Sequence, residues 1–476
     1  MKPLHTRFRL VTLFLIGLLL LAGLYGVYSI TVYGNRWFAS SRNLRYREAK
    51  SEVIAGDIID RNGVLLATTD AQGERVYQAD KEARQSVVHL IGDRDGNVAN
   101  GVDSFDASYL LGFETTLPER VLTLIKGEQR HGDDVTVTVD SKLNTVIVRA
   151  FNTHVRTKDK SGAAVVMNYK TGEIVGFVSV PVFDPANISD AVKADTRHPF
   201  WNRATQSTLP PGSTFKIITA SSALENLEDI ENRTFTCTGA TQVMGSTITD
   251  FGNAQHGQLQ LPKAFRVSCN NTFAQIALLL GDNALRRTAE NFGFNDNFLF
   301  RDIVVENSTY PTENRTLIEL AWSGDGQSQI AATPMHMCMV AAAIANNGVM
   351  MEPRLLSRVT SPEGLVRLRM TLKVYRRAVS EEIAEIIRGY MLDTVSRGTA
   401  TAAQVDGLSI AGKTGSAESS LDGRDVTHAW FVGFIDDARY PYAVCVFVEE
   451  GTSGGGAAAP IAQAIFRYIQ AYFPFQ

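Results

Sequence analysis

The amino-acid sequence predicts an α+β fold that is preceded by a membrane-spanning helix. An uncharged apolar run, Leu10–Ile30, lies near the start of the 476 residues. Strand-like and helix-like segments intermix from about residue 141 onward, without a fixed repeat. Two apolar runs, 429–434 and 442–448, flank a polar turn and predict a β-hairpin, and residues 457–472 predict a closing helix. With 45% apolar residues the chain can bury a large core and should hold more than one domain.

The apolar run is long enough to cross a bilayer. As a helix it measures about 30 Å, which matches the hydrocarbon core. The apolar core of a cleaved signal peptide would be shorter, about 7–15 residues. We therefore predict a tail at residues 1–9 and an uncleaved signal anchor at residues 10–30. Basic residues occur on both sides of the anchor, and long domains cross membranes largely regardless of such charges, so their count does not set the orientation.

Two further regions follow the anchor. Residues 31–140 mix short strand-like runs with polar stretches and contain no catalytic constellation, which favours a small pedestal or dimerisation-like domain. Val135, Val137 and Val139 alternate with polar residues and predict a strand that enters the next domain. Residues 141–476 form the predicted catalytic domain.

Ser213 and Lys216 are the most informative residues of the chain. They follow a Pro-Pro-Gly segment and precede an apolar run that is typical of a helix starting at or near Ser213. A serine hydroxyl needs a base within hydrogen-bond reach, and residues three apart share a helix face. Lys216 can be that base when burial or cationic neighbours favour a neutral amine. On its own, the pair is more often an ordinary serine and lysine at a helix start.

Two triplets strengthen this interpretation. Ser268-Cys269-Asn270 is predicted to lie in a turn, where a serine can relay protons and an asparagine amide can hold a substrate carbonyl. Lys413-Thr414-Gly415 is predicted at the end of a strand, where the lysine can attract a carboxylate and the glycine lets a substrate backbone lie close. Taken alone, a triplet of the first kind recurs by chance, and the second is equally compatible with a solvated lysine before a turn glycine.

Together and in this order, the three motifs resemble the active-site signature of penicillin-binding proteins and serine β-lactamases. Residues 56–63 resemble the membrane-proximal signature of class B penicillin-binding proteins, so the resemblance covers nearly the whole chain. It implies a transpeptidase domain over 141–476, with an antiparallel sheet and helices on both faces. The chain departs from the pattern at Ala55, where an arginine is usual, and at Ser416, where threonine is commoner.

The resemblance implies a peptidoglycan D,D-transpeptidase that acts outside the cytoplasmic membrane and is acylated by β-lactams. Ser213 would attack the penultimate D-Ala carbonyl of a stem peptide, and Lys216 would accept its proton. Ser268, supported by Lys413, would pass a proton to the departing amine. The substrate-binding residues would be Asn270, Thr414, Gly415 and Ser416, with backbone N–H groups of Ser213 and Ser416 holding the oxyanion.

The resemblance also implies a topology and partners. The N-terminus would be cytoplasmic and the catalytic domain extracytoplasmic. A SEDS-family glycosyltransferase is the expected partner, because too few residues precede the catalytic domain to hold a polymerising domain. Stem peptides, β-lactams and the membrane are the other expected partners. A net charge of −4 gives no indication of nucleic-acid binding, and no metal or other cofactor is predicted.

Three alternatives stay open at this stage. A D,D-carboxypeptidase would use water in place of the acceptor amine. A β-lactamase or β-lactam sensor would share the first motif, although class D enzymes and sensors usually carry valine where Asn270 stands. A non-catalytic scaffold for a glycosyltransferase would have no need of Ser213, Lys216 and Lys413 together. A role in elongation, division or sporulation is equally open.

The four cysteines are too scattered for a metal site of the C-x-x-C kind. Cys338 and Cys445 lie in apolar runs and are predicted to be buried thiols. Cys237 and Cys269 flank one region, and the sequence leaves a disulfide between them open. His256 and His428 receive no role, because no second ligand lies at a metal-like spacing. Histidines in apolar surroundings are more often structural, and the sequence assigns neither of these to a function.

Overall fold

The computed structural model describes residues 4–38, 53–93, 95–115, 119, 125–127, 129–313, 315–421 and 423–473. Its first helix contains the apolar segment Phe8–Thr31, whose large side chains are exposed. Among the described residues this is the one helix long and apolar enough to cross a membrane. Exposed apolar side chains on every face are typical of a helix surrounded by lipid, so the N-terminal helix fits the predicted membrane anchor.

The described strands and helices are numbered in chain order. The strands are β1 Ile58–Ile59, β2 Leu65–Thr69, β3 Arg75–Tyr77, β4 Asp134–Val137, β5 Gly162–Asn168, β6 Ile174–Val180, β7 Phe235–Cys237, β8 Ala240–Val243, β9 Ser246–Thr249, β10 Gly257–Leu259, β11 Val349–Met351, β12 Leu356–Thr360, β13 Val366–Arg369, β14 Val374–Arg377, β15 Ile410–Leu421, β16 Arg424–Ile435 and β17 Tyr442–Val448. The helices are α1 Leu4–Phe38, α2 Lys81–Ser86, α3 Val88–Ile91, α4 Val102–Phe105, α5 Ala107–Leu110, α6 Ser141–Thr153, α7 Asp190–Lys193, α8 Arg203–Gln206, α9 Lys216–Asn226, α10 Leu261–Val267, α11 Asn270–Asn291, α12 Leu317–Ser323, α13 Pro334–Ala345, α14 Glu381–Arg397 and α15 Ala459–Tyr472.

A five-stranded sheet forms the centre of the C-terminal part. Its strand order is β15-β16-β17-β5-β6, and every neighbouring pair is antiparallel. The pairing of β16 with β17 confirms the predicted hairpin at 429–448. The predicted closing helix is confirmed by α15. The prediction that Lys413-Thr414-Gly415 ends a strand is wrong. β15 continues to Leu421, because β16 pairs with it residue by residue as far as Arg424.

Helices cover both faces of this sheet. Along β5, Val165 belongs to the core that includes α9, α11 and α13, whereas Val166 belongs to the core that includes α6 and α15. Successive strand residues point to opposite faces, so a strand buried on both sides must be apolar throughout. All seven residues of β5 are buried. The predicted α+β fold, with an antiparallel sheet between helical layers, is confirmed.

A six-stranded sheet joins segments that are far apart in sequence. Its order is β13-β12-β4-β1-β2-β3, with β1 and β4 parallel. The predicted strand at 135–139 is β4, and Val135 and Val137 are fully buried in it. Strands β12 and β13 come from beyond residue 350, so the later part of the chain completes a sheet that the earlier part begins.

Phe431 provides a test of the second core. It lies on β16, is fully buried, and packs against Phe466 of α15 with 6.2 Å between ring centroids. We expect Phe431→Ala to lower the free energy of unfolding by about 3–5 kcal/mol, because the lost ring leaves a cavity. Denaturant unfolding of the full chain in detergent measures this loss. Phe251→Ala removes a ring that is 71% exposed and should cost less than about 0.5 kcal/mol. Equal losses would contradict the assignment of Phe431 to the core.

Candidate active site

Ser213 lies in a tight turn that leads directly into a helix. A 3-10 turn spans Gly212–Phe215, and α9 begins at Lys216. Gly212 has a φ of +54°, and a Cβ there would lie 2.8 Å from the carbonyl oxygen of Ser416. Glycine is therefore required where the turn meets β15. The Ser213 side chain faces a cavity of about 620 Å³. The predicted helix start near Ser213 is confirmed.

The amine of Lys216 is fully buried beneath this cavity. Its Nζ donates to the carbonyl oxygen of Ser268 at 2.8 Å and to Oδ1 of Asn270 at 2.7 Å. Oδ1 of Asp325 lies 3.1 Å from the same nitrogen. Within the described residues, no hydrogen bond joins Lys216 to Ser213. In this structure the amine of Lys216 is hydrogen-bonded to the second motif, and not to the hydroxyl of Ser213.

The second motif forms the predicted turn between two helices. α10 ends at Val267, Ser268 adopts a left-handed conformation with φ +61°, and α11 begins at Asn270. A carboxylate oxygen of Asp250 accepts the backbone N–H of Asn270 and so fixes the start of α11. The Asn270 side chain donates through Nδ2 to the carbonyl oxygen of Thr249 at 3.0 Å, which orients its amide.

Lys413 lies behind Ser268 on the opposite wall. Its fully buried Nζ donates to Ser268 Oγ at 2.8 Å and to the carbonyl oxygen of Thr414 at 3.0 Å. Burial lowers the pKa of Lys413 well below its usual range, and the positive charge of Lys216 acts in the same direction. Ser268 Oγ also lies 3.4 Å from Lys216 Nζ. One hydroxyl is thus in contact with two amines, which is the arrangement that a proton relay needs.

The remaining residues of the third motif line the same cavity or its floor. A Cβ on Gly415 would lie 2.8 Å from the carbonyl oxygen of Pro211, so the turn that holds Ser213, called the nucleophile turn after the predicted role of that serine, packs where a substrate backbone was expected. Thr414 Oγ1 lies 2.6 Å from Thr399 Oγ1, and Ser416 Oγ accepts the backbone N–H of Gly454 at 3.4 Å. The structure brings all eight predicted site residues together.

Three further side chains at the cavity were not predicted from the sequence. Asp250 fixes the second motif, Thr399 supplies a hydroxyl beside Thr414, and Asp325 lies next to Lys216. Asp325 stands between two glycines, which is a turn signal rather than a catalytic one. Thr399 and Asp250 are not part of any of the three sequence motifs. Only the folded chain places them here.

Four potential metal ligands also meet beside the second motif: Cys237, Asp250, His256 and Cys269. Their ligand atoms all lie within 4.8 Å of one another. Cys237 Sγ is 2.8 Å from Asp250 Oδ2 and 3.5 Å from His256 Nδ1. Ligands around a tetrahedral zinc ion are about 3.3–3.8 Å apart, and thiolate, imidazole and carboxylate are the groups that zinc prefers. These residues could hold a zinc ion, although their spacing in the sequence gave no such indication.

The cysteines and the other histidine complete the comparison with the sequence. All four cysteines are buried free thiols, so no disulfide joins Cys237 to Cys269 in this structure. The prediction of buried thiols at Cys338 and Cys445 is confirmed, and burial raises the pKa of both. His428 lies in β16, where burial lowers its pKa and its Nδ1 accepts the backbone N–H of Glu450 at 3.4 Å.

Known proteins resemble this chain in sequence. The penicillin binding protein transpeptidase domain matches residues 162–467. Peptidoglycan D,D-transpeptidase PbpA of Mycolicibacterium smegmatis is 33% identical over 326 residues, 64% of this chain and 66% of the relative. Stage V sporulation protein D of Bacillus subtilis is 31% identical over 352 residues, 71% of this chain and 53% of the relative. The chain spans 66% or less of the length of these relatives.

Solved structures resemble it in fold. Penicillin-binding protein A of Mycobacterium tuberculosis, as its penicillin G acyl-enzyme complex, superposes with a TM-score of 0.78 at 28% identity, covering 88% of this chain and 99% of that chain. The D,D-transpeptidase domain of a peptidoglycan glycosyltransferase from Eggerthella lenta gives a TM-score of 0.75 at 29% identity, with coverage of 88% and 99%.

The four-ligand cluster leads to a measurable expectation. We expect the full chain, purified without chelator, to retain about one zinc ion, and His256→Ala to lose most of it, because a three-ligand site binds less tightly. Elemental analysis of the protein measures the metal content. His154→Ala, outside the cluster, is the matched control. Absence of zinc together with a mass lower by two hydrogens, a loss that Cys237→Ser abolishes, would show a Cys237–Cys269 disulfide instead.

Proposed function

The chain belongs to the penicillin-binding protein transpeptidase family, whose domain matches residues 162–467, and from this premise we propose that it is a class B peptidoglycan D,D-transpeptidase. The observation that carries the proposal is the arrangement at the cavity. Ser213 and Ser268 both line it, and the Ser268 hydroxyl contacts the amines of Lys216 and Lys413. A serine nucleophile with amines and a second hydroxyl behind it can form and resolve an acyl-enzyme.

Acylation begins at Ser213. Its Oγ attacks the carbonyl carbon of the penultimate D-Ala of a stem peptide, and its proton passes to the amine of Lys216 one residue beyond the turn. The backbone N–H groups of Ser213 and Ser416 are the proposed donors to the oxyanion. Gly212 supports this role, because it lets the nucleophile turn approach the backbone of Ser416. Each donor is worth about 3–4 kcal/mol by analogy with other oxyanion holes.

Ser268 is the proposed proton donor to the departing D-Ala amine. Its hydroxyl accepts a hydrogen bond from Lys413 at 2.8 Å and lies 3.4 Å from Lys216. A proton taken from Ser213 by Lys216 can therefore reach the leaving nitrogen through Ser268. Burial lowers the pKa of Lys413 well below its usual range, which supports its part in this transfer, because a lysine with a lowered pKa gives up a proton more readily.

The substrate's terminal carboxylate is proposed to bind at Thr414. The hydroxyl of Thr414 lies beside that of Thr399, and the amine of Lys413 lies behind them. Asn270, whose amide is oriented by Lys216 and Thr249, is proposed to hold the acyl-donor peptide. Hydroxyl and amide groups are the partners that a carboxylate and a peptide backbone require.

The membrane and partner assignments belong to the same proposal. The helix around Phe8–Thr31 supports a single-pass anchor, and we place the N-terminus in the cytoplasm because peptidoglycan stem peptides are cross-linked outside. A SEDS-family glycosyltransferase is the proposed partner, contacted through the anchor and the region around the six-stranded sheet. The domain limits at residues 31, 141 and 476 remain predictions.

Acylation of Ser213 is the first test. We expect the full chain in detergent to form a stable adduct of one drug mass with a fluorescent penicillin, and Ser213→Ala to form none, because the attacking oxygen is absent. Intact-mass spectrometry measures both. Ser396→Ala, an exposed serine on α14, is the matched control and should react as the unaltered chain does.

Other outcomes separate the alternatives. Rapid hydrolysis of the penicillin without an adduct would indicate a β-lactamase. An adduct together with release of D-Ala, but no cross-linked product from stem peptides, would indicate a carboxypeptidase. No reaction from a folded chain, with Ser213→Ala harmless to growth, would indicate a scaffold.

The orientation is tested separately. We expect a reporter that is active only outside the cytoplasm to be active when fused after Gln476 and inactive when fused before Met1, because the anchor crosses the membrane once. The reverse pattern would contradict the proposed topology.

A further inference from the structure

Asp325 is a buried carboxylate at the base of the cavity. It follows α12, it is 2% exposed, and both of its carboxylate oxygens are buried. Neither oxygen receives a well-oriented hydrogen bond from another described residue. Its contact is the ion pair with Lys216, whose Nζ lies 3.1 Å away. A buried carboxylate without such a partner is strongly disfavoured, so its charge depends on this amine.

The loop that holds Asp325 is fixed against the nucleophile turn. Gly326 has a φ of +72°, and a Cβ there would lie 2.3 Å from the carbonyl oxygen of Gly212. The backbone N–H of Gly212 donates to the carbonyl oxygen of Gly326 at 3.2 Å. On the other side, Thr219 Oγ1 donates to the carbonyl oxygen of Gly324 at 3.0 Å. The carboxylate is therefore held in a fixed place relative to Ser213 and Lys216.

The nitrogen of Lys216 is closely surrounded by oxygens. An ammonium has three N–H donors, and three oxygens lie within 3.1 Å of this nitrogen, on Ser268, Asn270 and Asp325. An ammonium has no lone pair that could take the proton of Ser213. The amine must first lose one proton, and Asp325 is the one anion in direct contact with it among the described residues.

We propose that Asp325 is a positioning residue for Lys216: its carboxylate holds the amine in place and sets the pH at which Lys216 becomes a base for Ser213. This inference rests on the proposed acylation of Ser213. Loss of one proton from Lys216 Nζ to solvent breaks one N–H bond and leaves the neutral amine with a lone pair for the serine proton. The Asp325 anion opposes this loss, because it stabilises the ammonium.

The charge of Asp325 itself depends on pH. Burial raises the pKa of Asp325 to about 7, while the charge of Lys216 opposes the rise. The other charged groups that face it are Asp250, which raises its pKa, and Lys413 on β15, which lowers it. The thiol of Cys269 also faces Lys216. Of these groups, Asp325 alone combines direct contact with Lys216 and a titration near neutral pH.

The test is the pH dependence of acylation. We expect Asp325→Asn to move the rising limb of the rate of acylation by a fluorescent penicillin to lower pH, by about one to three pH units. A nearby anion stabilises the ammonium, so its removal lets the neutral amine form at lower pH. Rates are measured on the full chain in detergent from pH 5 to 10, with and without added zinc, because the charge of the neighbouring cluster depends on bound metal.

Two more variants distinguish an effect of the Asp325 charge from an effect on packing or folding. Asp325→Leu also removes the charge but leaves no unpaired amide in the core, so it should show the same shift even if the asparagine variant folds poorly. Asp437→Asn removes a partly exposed carboxylate in the turn after β16, outside the cavity, and should leave the profile unchanged. A uniformly lower rate with an unmoved limb in both Asp325 variants would overturn the inference and indicate a packing role. No adduct in the unaltered chain would overturn the proposed function and this inference together.

Discussion

The buried amine of Lys216 joins the separate parts of the site. It lies at the start of α9, donates to Ser268 and Asn270 between α10 and α11, and pairs with Asp325 after α12. A buried charge is tolerated only when it is paired and hydrogen-bonded. The three oxygens around this nitrogen therefore have to be supplied by segments that are far apart in the sequence. The packing that brings them together also aligns Ser268 with Lys413 on β15.

Close backbone approaches let these segments meet. Gly212 faces the carbonyl of Ser416, Gly415 faces that of Pro211, and Gly326 faces that of Gly212. A side chain at any of the three positions would require the nucleophile turn to move away from its neighbours. The turn is thus held from two sides, by β15 and by the loop after α12. A nucleophile held in this way keeps its geometry before substrate arrives, which is what an oxyanion site needs.

Much of the architecture and of the candidate site was predictable from the sequence. The anchor is a continuous apolar run, and the hairpin of β16 and β17 is two apolar runs around a polar turn, so local pattern is enough for both. The three motifs selected eight residues that the structure brings together, because chemistry restricts which residue types can serve in such a site. The end of β15 was misplaced, since its extension to Leu421 depends on pairing with β16 rather than on its own composition.

The sequence by itself determined the N-terminal apolar helix, the α+β class and the candidate nucleophile with its candidate bases, because each depends on residue type and short-range order. The tertiary structure alone decided three other features. It placed Asp325 beside Lys216, gathered Cys237, Asp250, His256 and Cys269, and inserted β12 and β13 into the sheet that β1 begins. Each of these depends on contacts between distant segments. Such contacts cannot be predicted from the spacing or the composition of a single segment, because they form only when distant segments pack together.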